Sequence, residues 1–128
     1  MILVAKDDVL RGLKKFKRLA KQDLLASSLT SNPDFWEIQA EARRQKYDEL
    51  MELVKTKGVD LACKLAMSDY AKLPLFDSDQ KEAPAVRGKE QALEMFFTLL
   101  GIGSEKVMSL RASITQQTPW STEEAMEV

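Results

Sequence analysis

The amino-acid sequence predicts an all-α protein, a single-domain bundle of about five helices with a long central helix near residues 33–57. Apolar residues recur at intervals of three and four along most of the chain, which is the spacing of one face of an α-helix. Strict alternation of apolar and polar residues and the Asn-Gly hairpin signal, which mark β-structure, do not occur. The run between Pro33 and Gly58 contains neither glycine nor proline, so a long helix can form there.

Length and composition favour one folded domain. The 128 residues are enough to bury a core without disulfides or metals, and a content of 45% hydrophobic and 30% charged residues is typical of globular chains. Within this domain we predict a core at residues 1–73, a linker at 74–85, a helical extension at 86–115 and a tail at 116–128. The extension is expected to pack on the core or on a partner.

The first helix is predicted to begin at Asp7 or Asp8, either of which can cap its amino terminus, and to end in the polar run 27–32. Its apolar residues share one face: Val9, Leu10, Leu13, Phe16, Ala20 and Leu24. Its basic residues share the opposite face, which we call the basic face: Arg11, Lys14, Lys15, Arg18 and Lys21. The pattern is that of a basic amphipathic helix.

Several interpretations of the basic face remain open. Clustered cations can bind phosphates, an anionic membrane surface or an acidic partner, and a charged helix face can also contact solvent alone. Membrane binding is disfavoured because the apolar face of this helix is needed to complete the core. The chain itself supplies acidic residues, because residues 1–29 hold seven Lys or Arg against three Asp, whereas residues 75–128 hold five against nine Asp or Glu. Nucleic-acid binding is expected to be weak and limited to phosphates, since this face has no aromatic or amide side chains to read bases.

The second helix has the clearest boundaries in the sequence. Asn32 can cap it, Pro33 suits the first helical position, and Asp34 complements the positive end of the helix dipole. Lys57 followed by Gly58 marks its carboxyl end. Charged residues of both signs alternate along one side and predict an exposed ion-pair surface: Glu37, Glu41, Arg44, Asp48, Glu52 and Lys55.

Another side of this helix carries four residues that we call the recognition patch: Trp36, Gln39, Arg43 and Tyr47. Trp36 and Tyr47 belong to an apolar stripe, so Trp36 is expected to anchor the core or an interface. Arg43 lies in the same apolar sector. Its guanidinium can stack on Trp36 or Tyr47, pair with a carboxylate such as Asp69, or bind a carboxylate of a partner. Because such side chains dominate interface energies, the recognition patch is a candidate partner-binding site.

A third helix is predicted from Asp60 to Leu73, because Pro74 stops it. Small residues on its inner face permit close packing: Ala62, Cys63 and Ala66. Larger residues complete the contact: Leu65, Met67, Tyr70 and Leu73. Since Cys63 is the only cysteine, no internal disulfide can form, and we expect a buried thiol in a reducing compartment.

The fourth helix is predicted over residues 85–100. Its inward residues are expected to be Ala92, Leu93, Phe96, Leu99 and Leu100. Gly101 and Gly103 interrupt the pattern, after which Ser104 caps a short fifth helix. The inward residues of the fifth helix are expected to be Val107, Leu110 and Ile114. In the tail, Trp120 is the expected anchor.

The types of residue present exclude many chemistries. Histidine is absent from the sequence, which excludes Ser-His-Asp triads, histidine-ligated zinc or haem, and the Glu-x-x-His iron sites of helix bundles. Asp77 and Asp79 lie in a stretch that lacks the glycine of a calcium loop. Lys57 and Lys64 occupy positions where a helix-turn-helix around Gly58 would have apolar residues. We therefore expect no cofactor, no metal and no enzymatic activity.

These observations lead to a functional expectation. No apolar run approaches the ~20 residues of a membrane span, so we expect a cytoplasmic protein without membrane insertion. Its helical surfaces are expected to bind a protein partner or a second copy, as an adaptor, inhibitor or assembly factor does. The alternative is a nucleic-acid-associated regulator that binds phosphates weakly through the basic face.

Overall fold

The computed structural model describes residues 3–73 and 83–110. Within these ranges the protein consists of helices joined by turns and short loops, and it has no strand. Its elements are four α-helices and one short 3-10 turn: α1 (Lys6–Ala26), the turn Ser27–Leu29, α2 (Pro33–Lys57), α3 (Val59–Lys72) and α4 (Pro84–Leu99). Residues 104–110 are also helical. The prediction of an all-α helical bundle with a long central helix is confirmed.

The observed ends of α1 and α2 can be compared with the boundaries that the capping residues of the sequence predict. α1 begins at Lys6, so Asp7 and Asp8 lie in its first turn, where their charge complements the helix dipole, and the prediction that one of them is the cap is wrong. α2 begins at Pro33 and ends at Lys57, as predicted. The N-cap residue is Asn32, as expected, but its side chain makes no capping hydrogen bond.

The later boundaries differ from the predictions by one or two residues. α3 begins just after Gly58, whose φ of +89° is a conformation that glycine adopts without strain. α4 begins at Pro84, so the last two residues of the expected linker belong to this helix. Ser104 is already helical, and the Val107 N–H donates to the carbonyl oxygen of Gly103, which stands at the cap position instead. The stretches 74–82 and 111–128, which contain the Asp77–Asp79 segment, Ile114 and Trp120, lie outside the described residues.

The core is built jointly by α1, α2 and α4. Phe96 and Phe97 of α4 are the largest fully buried side chains, and they belong to the same apolar cluster as Leu13 of α1 and Leu50 of α2. This corrects the expected division into a core of residues 1–73 and an added extension, because α4 is part of the core. The sequence pattern had also placed Leu99 inward in place of Phe97, whereas Leu99 is only partly buried.

α2 is the central helix, packed most extensively against α1 and then against α4. The backbones of α2 and α4 come very close at Gly88. A Cβ at this position would lie 2.3 Å from the backbone oxygen of Gln39 and 2.8 Å from the Cβ of Ala42. Only glycine fits such an approach without movement, and the approach brings Gln91, one turn further along α4, beside Gln39 and Arg43.

α3 covers α2 and α4 with small side chains. Ala62, Cys63, Ala66 and Tyr70 are buried, as predicted. Leu65 was expected to face inward but is exposed, because the small residues bring this side of α3 against the core and leave Leu65 on the other side.

Candidate functional site

A chain of hydrogen bonds joins the three core helices across the recognition patch. Gln39, with only 2% of its surface exposed, donates from Nε2 to Oε1 of Gln91 at 2.6 Å. Arg43 donates from Nε to Oε1 of Gln39 at 3.1 Å, and from Nη2 to Oδ2 of Asp23 at 2.7 Å. The network therefore runs from α4 through α2 to α1, and it fixes the position of the Arg43 guanidinium, whose side chain is 16% exposed.

Two adjoining cavities flank this network. The Trp36 cavity, of about 320 Å³, is lined by Asp23, Ala26, Thr30, Trp36, Gln39, Arg43 and Gln91. The Tyr47 cavity, of about 440 Å³, is lined by Phe16, Leu19, Arg43, Tyr47, Gln91, Glu94, Met95 and Thr98. Arg43 and Gln91 line both, so we treat the two cavities as one groove between α1, α2 and α4. All four residues of the recognition patch line this groove.

The walls of the groove carry exposed apolar side chains. Trp36 is 42% exposed, Leu19 44% and Met95 40%. Trp36 is thus not a core residue, because the first turn of α2 lies at the edge of the bundle and full burial begins only at Gln39. Its ring instead meets Phe35 edge to face, with ring centroids 5.1 Å apart.

Tyr47 lies at the inner end of the patch and is only 2% exposed. Its ring packs against Phe16, with ring centroids 5.7 Å apart. Burial raises the pKa of Tyr47 to about 12, and the nearby positive charge of Arg43 opposes this rise only in part. The hydroxyl is therefore a protonated donor at neutral pH, and it makes no hydrogen bond to the described residues.

The ion pair of Arg43 with Asp23 settles one of the expectations for this residue. Asp69, the carboxylate that the sequence offered as a partner, lies instead within 3.3 Å of Lys46 Nζ. Stacking of Arg43 on Trp36 or Tyr47 is not found in the described part of the chain. Asp23 and Gln91 were not foreseen, since both are polar residues of ordinary helix surfaces and only the packing of three helices brings them to Arg43.

Lys46 is a third residue that the sequence analysis missed. Its side chain is 10% exposed, and Nζ donates to Glu49 at 2.8 Å and to Asp69 of α3 at 3.3 Å. Burial alone would lower the pKa of Lys46, but the hydrogen bond and charge of Glu49, together with Asp69, raise it overall. The available signal was its position between Ala42 and Leu50, one turn from each on an otherwise apolar side of α2.

The basic face of α1 is exposed along its whole length. Arg11 pairs with Asp8 of its own helix at 2.7 Å, with both side chains mostly exposed. No ion pair to the described residues is made by four cations of this face: Lys14, Lys15, Arg18 and Lys21. Of the neighbouring basic residues, Lys17 pairs with Asp48 of α2 at 2.6 Å. Among the described residues, an acidic residue of another helix therefore pairs with Lys17, but none pairs with a cation of the basic face.

The charged side of α2 is an ion-pair surface, as predicted. Arg44 donates to Glu41 at 2.6 Å and lies 3.6 Å from Asp48. The hydrogen bond from Arg44 lowers the pKa of Glu41 and outweighs the small effect of burial. This surface is typical of an exposed helix, and it adds nothing to the groove.

Other chemistry is limited in residues 3–73 and 83–110. No group of three or more Asp, Glu or Cys side chains there could hold a metal ion. Cys63 is buried and free, and burial, with the charge of Asp60, raises the pKa of its thiol. None of the described helices is both long and apolar enough to cross a membrane. Comparisons with protein-family models, with curated proteins and with solved structures find no match to this chain.

Proposed function

We propose that this protein is a small, cytoplasmic, non-enzymatic interaction module, an adaptor, inhibitor or assembly factor, that binds a segment of a partner protein in the groove. The observation that carries the proposal is the arrangement of the recognition patch. Its four residues line one groove, and Trp36 stands exposed at the edge with Leu19 and Met95. The sequence without histidine and with one buried thiol supports a non-enzymatic role in a reducing compartment.

The energetics of the groove favour a peptide segment as its ligand. Isolated apolar side chains on a surface are ordinary, but here three of them border the same pair of cavities. Tryptophan and arginine are the side chains most often found to dominate binding energy. Arg43 is already held by Gln39 and Asp23, so a partner does not have to immobilise it on binding.

The test is a selection of peptides from a random display library on the immobilised protein, followed by affinity measurements on variants. We expect selected peptides to lose about 10-fold or more in affinity for Trp36→Ala, as for a central interface residue. Leu61→Ala is the matched control, because Leu61 has a similar exposure, at 45%, but lies on α3 and does not line the groove. Peptides that bind Trp36→Ala as tightly as the unmodified protein, or a selection that enriches nothing, would contradict the proposal.

Measuring the stability of Trp36→Ala distinguishes a loss of binding from a loss of folding. Because Trp36 is partly exposed, we expect its free energy of unfolding to fall by no more than about 1–2 kcal/mol. Phe96→Ala removes a fully buried ring and is expected to cost about 3–5 kcal/mol. Urea unfolding of both variants makes the comparison.

A second function, phosphate binding by the basic face, is favoured by one specific observation. Lys14, Lys15, Arg18 and Lys21 are exposed and have no ion-pair partner among the described residues. Three of them, with Arg11 and Asp8, border a shallow depression of about 440 Å³. Four cations on one helix face, with no ion-pair partner in the described part of the chain, attract polyanions by their summed field.

A salt titration of duplex DNA binding tests this second function. We expect an affinity no tighter than about 10⁻⁶ M at physiological salt, the range of non-specific binding. Simultaneous change of Lys14, Lys15 and Arg18 to glutamate should abolish most of it and flatten the salt dependence. The matched control changes three exposed cations elsewhere to glutamate: Lys55, Lys57 and Lys64. Binding that survives the first triple change, or that the control removes equally, would contradict a role of the basic face.

A further inference from the structure

Two residues that line the Tyr47 cavity have donor groups without an acceptor among the described residues. The Tyr47 hydroxyl is buried and makes no hydrogen bond to the described residues. Arg43 uses Nε and Nη2 in its bonds to Gln39 and Asp23, and its Nη1 makes no hydrogen bond within residues 3–73 and 83–110. Both residues line the same cavity, and a buried donor such as the Tyr47 hydroxyl costs free energy unless an acceptor is supplied.

The charges around this cavity restrict what the acceptor can be. Arg43 is already paired with Asp23 at 2.7 Å, and the carboxylate of Glu94 also lines the cavity. A ligand carboxylate would meet the carboxylate of Glu94 and a guanidinium that Asp23 already neutralises, so it is disfavoured. A ligand ammonium has no acceptor and leaves both donors unpaired. A neutral carboxamide accepts through its oxygen and donates through its nitrogen, so it can serve Tyr47 and Arg43 on one side and Glu94 on the other.

The rest of the cavity is apolar and larger than a carboxamide. Phe16, Leu19 and Met95 line it, and its volume of about 440 Å³ leaves room for a large side chain as well. We propose that the Tyr47 cavity binds the side-chain carboxamide of a glutamine or asparagine that stands next to a large apolar residue in a partner peptide. This inference rests on the proposed function and adds the chemistry of the partner segment.

The probe for this inference is the neutral dipeptide acetyl-Leu-Gln-N-methylamide, whose only primary carboxamide is the glutamine side chain, titrated into the isotope-labelled protein and followed by amide chemical shifts. We expect the shifts to be concentrated at residues around the cavity, such as Leu19, Met95 and Thr98. Acetyl-Leu-Glu-N-methylamide has a carboxylate in place of the carboxamide, and acetyl-Leu-Lys-N-methylamide carries an ammonium. Both are expected to bind more weakly than the glutamine probe.

Tyr47→Phe removes only the hydroxyl and keeps the ring in place. The loss of one neutral hydrogen bond predicts a roughly 3- to 10-fold weaker binding of the glutamine probe. Ser109→Ala, which removes an exposed hydroxyl outside the cavity, should leave binding unchanged. No shifts, shifts elsewhere, equal binding by Tyr47→Phe, or tighter binding of either charged probe would each overturn the inference.

The outcomes separate this inference from the proposed function. If library peptides lose affinity for Trp36→Ala but bind Tyr47→Phe normally, the groove binds a partner and the carboxamide assignment is wrong. If the dipeptide occupies the cavity but no library peptide depends on Trp36, the cavity has the assigned chemistry and the proposed partner-binding role of the groove is wrong.

Discussion

At Tyr47, burial and the charge of Arg43 act in opposite directions on one hydroxyl, and burial has the larger effect. The pKa rises from 10.0 to about 12, so the folded protein keeps this proton at a pH where the unfolded chain has lost it. Deprotonation therefore stabilises the unfolded state. Protonated Tyr47 therefore makes its full contribution to the free energy of unfolding below about pH 10. This contribution is lost as the pH rises towards 12, and the total loss is up to roughly 2–3 kcal/mol.

Urea unfolding of the protein and of Tyr47→Phe between about pH 9 and pH 11 measures this contribution. The unmodified protein should lose stability more steeply with rising pH than the variant, because phenylalanine has no proton to lose. Tyr70, present in both proteins, cancels in the comparison. Parallel loss of stability would show that Tyr47 titrates normally in the folded state.

The recognition patch also shows what a sequence can say about single residues. Helical spacing was enough to group Trp36, Gln39, Arg43 and Tyr47 on one side of α2, and the structure places all four along one groove. Spacing was not enough to choose the carboxylate for Arg43. The carboxylate that pairs with Arg43 depends on which helix packs opposite Arg43, and no local pattern in a single sequence gives this information.

At the scale of the helices, Gly88 controls how closely α4 approaches α2. We expect Gly88→Ala to lower the free energy of unfolding by about 1–3 kcal/mol, because its Cβ would collide with the backbone oxygen of Gln39. The loss should occur even though alanine is intrinsically preferred over glycine in a helix by about 1 kcal/mol. The same change should move the side chains of Gln39 and Gln91 apart.

Gly12→Ala is the matched control within a helix. The three atoms nearest to its Cβ would all belong to the side chain of Leu99, the first at 2.7 Å, and a partly exposed side chain can move where a backbone cannot. Thermal or urea unfolding of the two variants decides the matter. A Gly88→Ala protein at least as stable as Gly12→Ala would show that the two helices can separate at little cost.

Helix boundaries were predicted closely because the signals for them are local. Pro33 and Gly58 mark the ends of α2 by restricting or freeing their own backbone. The place of α4 in the core was not predicted. It depends on the approach at Gly88, and in the sequence this residue is only an isolated glycine in a helical pattern.

Across the whole molecule, stability is expected to be uneven. α1 and α4 both pack extensively against α2, whereas α3 makes fewer contacts with α2 and with α4. The inner face of α3 consists largely of small side chains. Its side-chain links include the hydrogen bond from the Tyr70 hydroxyl to Glu94, at 2.7 Å, and the contact of Lys46 with Asp69. Because alanine side chains bury little apolar area, we expect α3 to open more readily than the other helices.

Native-state hydrogen exchange tests this expectation. Amides in the middle of α3, such as that of Ala66, should exchange through local opening, with a lower free energy than the amide of Leu50 in α2. Equal protection at both positions, with the same dependence on denaturant, would show instead that α3 unfolds only with the whole molecule.

Four cations of the basic face have no ion-pair partner in residues 3–73 and 83–110, so this side of α1 is locally positive although the sequence carries a formal charge of only −1. Over distances longer than the Debye length, about 8 Å at physiological salt, an exposed charge is largely screened. A nearby charged surface therefore interacts mainly with the charges on the side of the protein that faces it, and not with the net charge of the whole protein. On a chromatographic resin the same protein should be retained by a cation exchanger with α1 turned towards the beads, at a pH where its net charge alone predicts that it flows through.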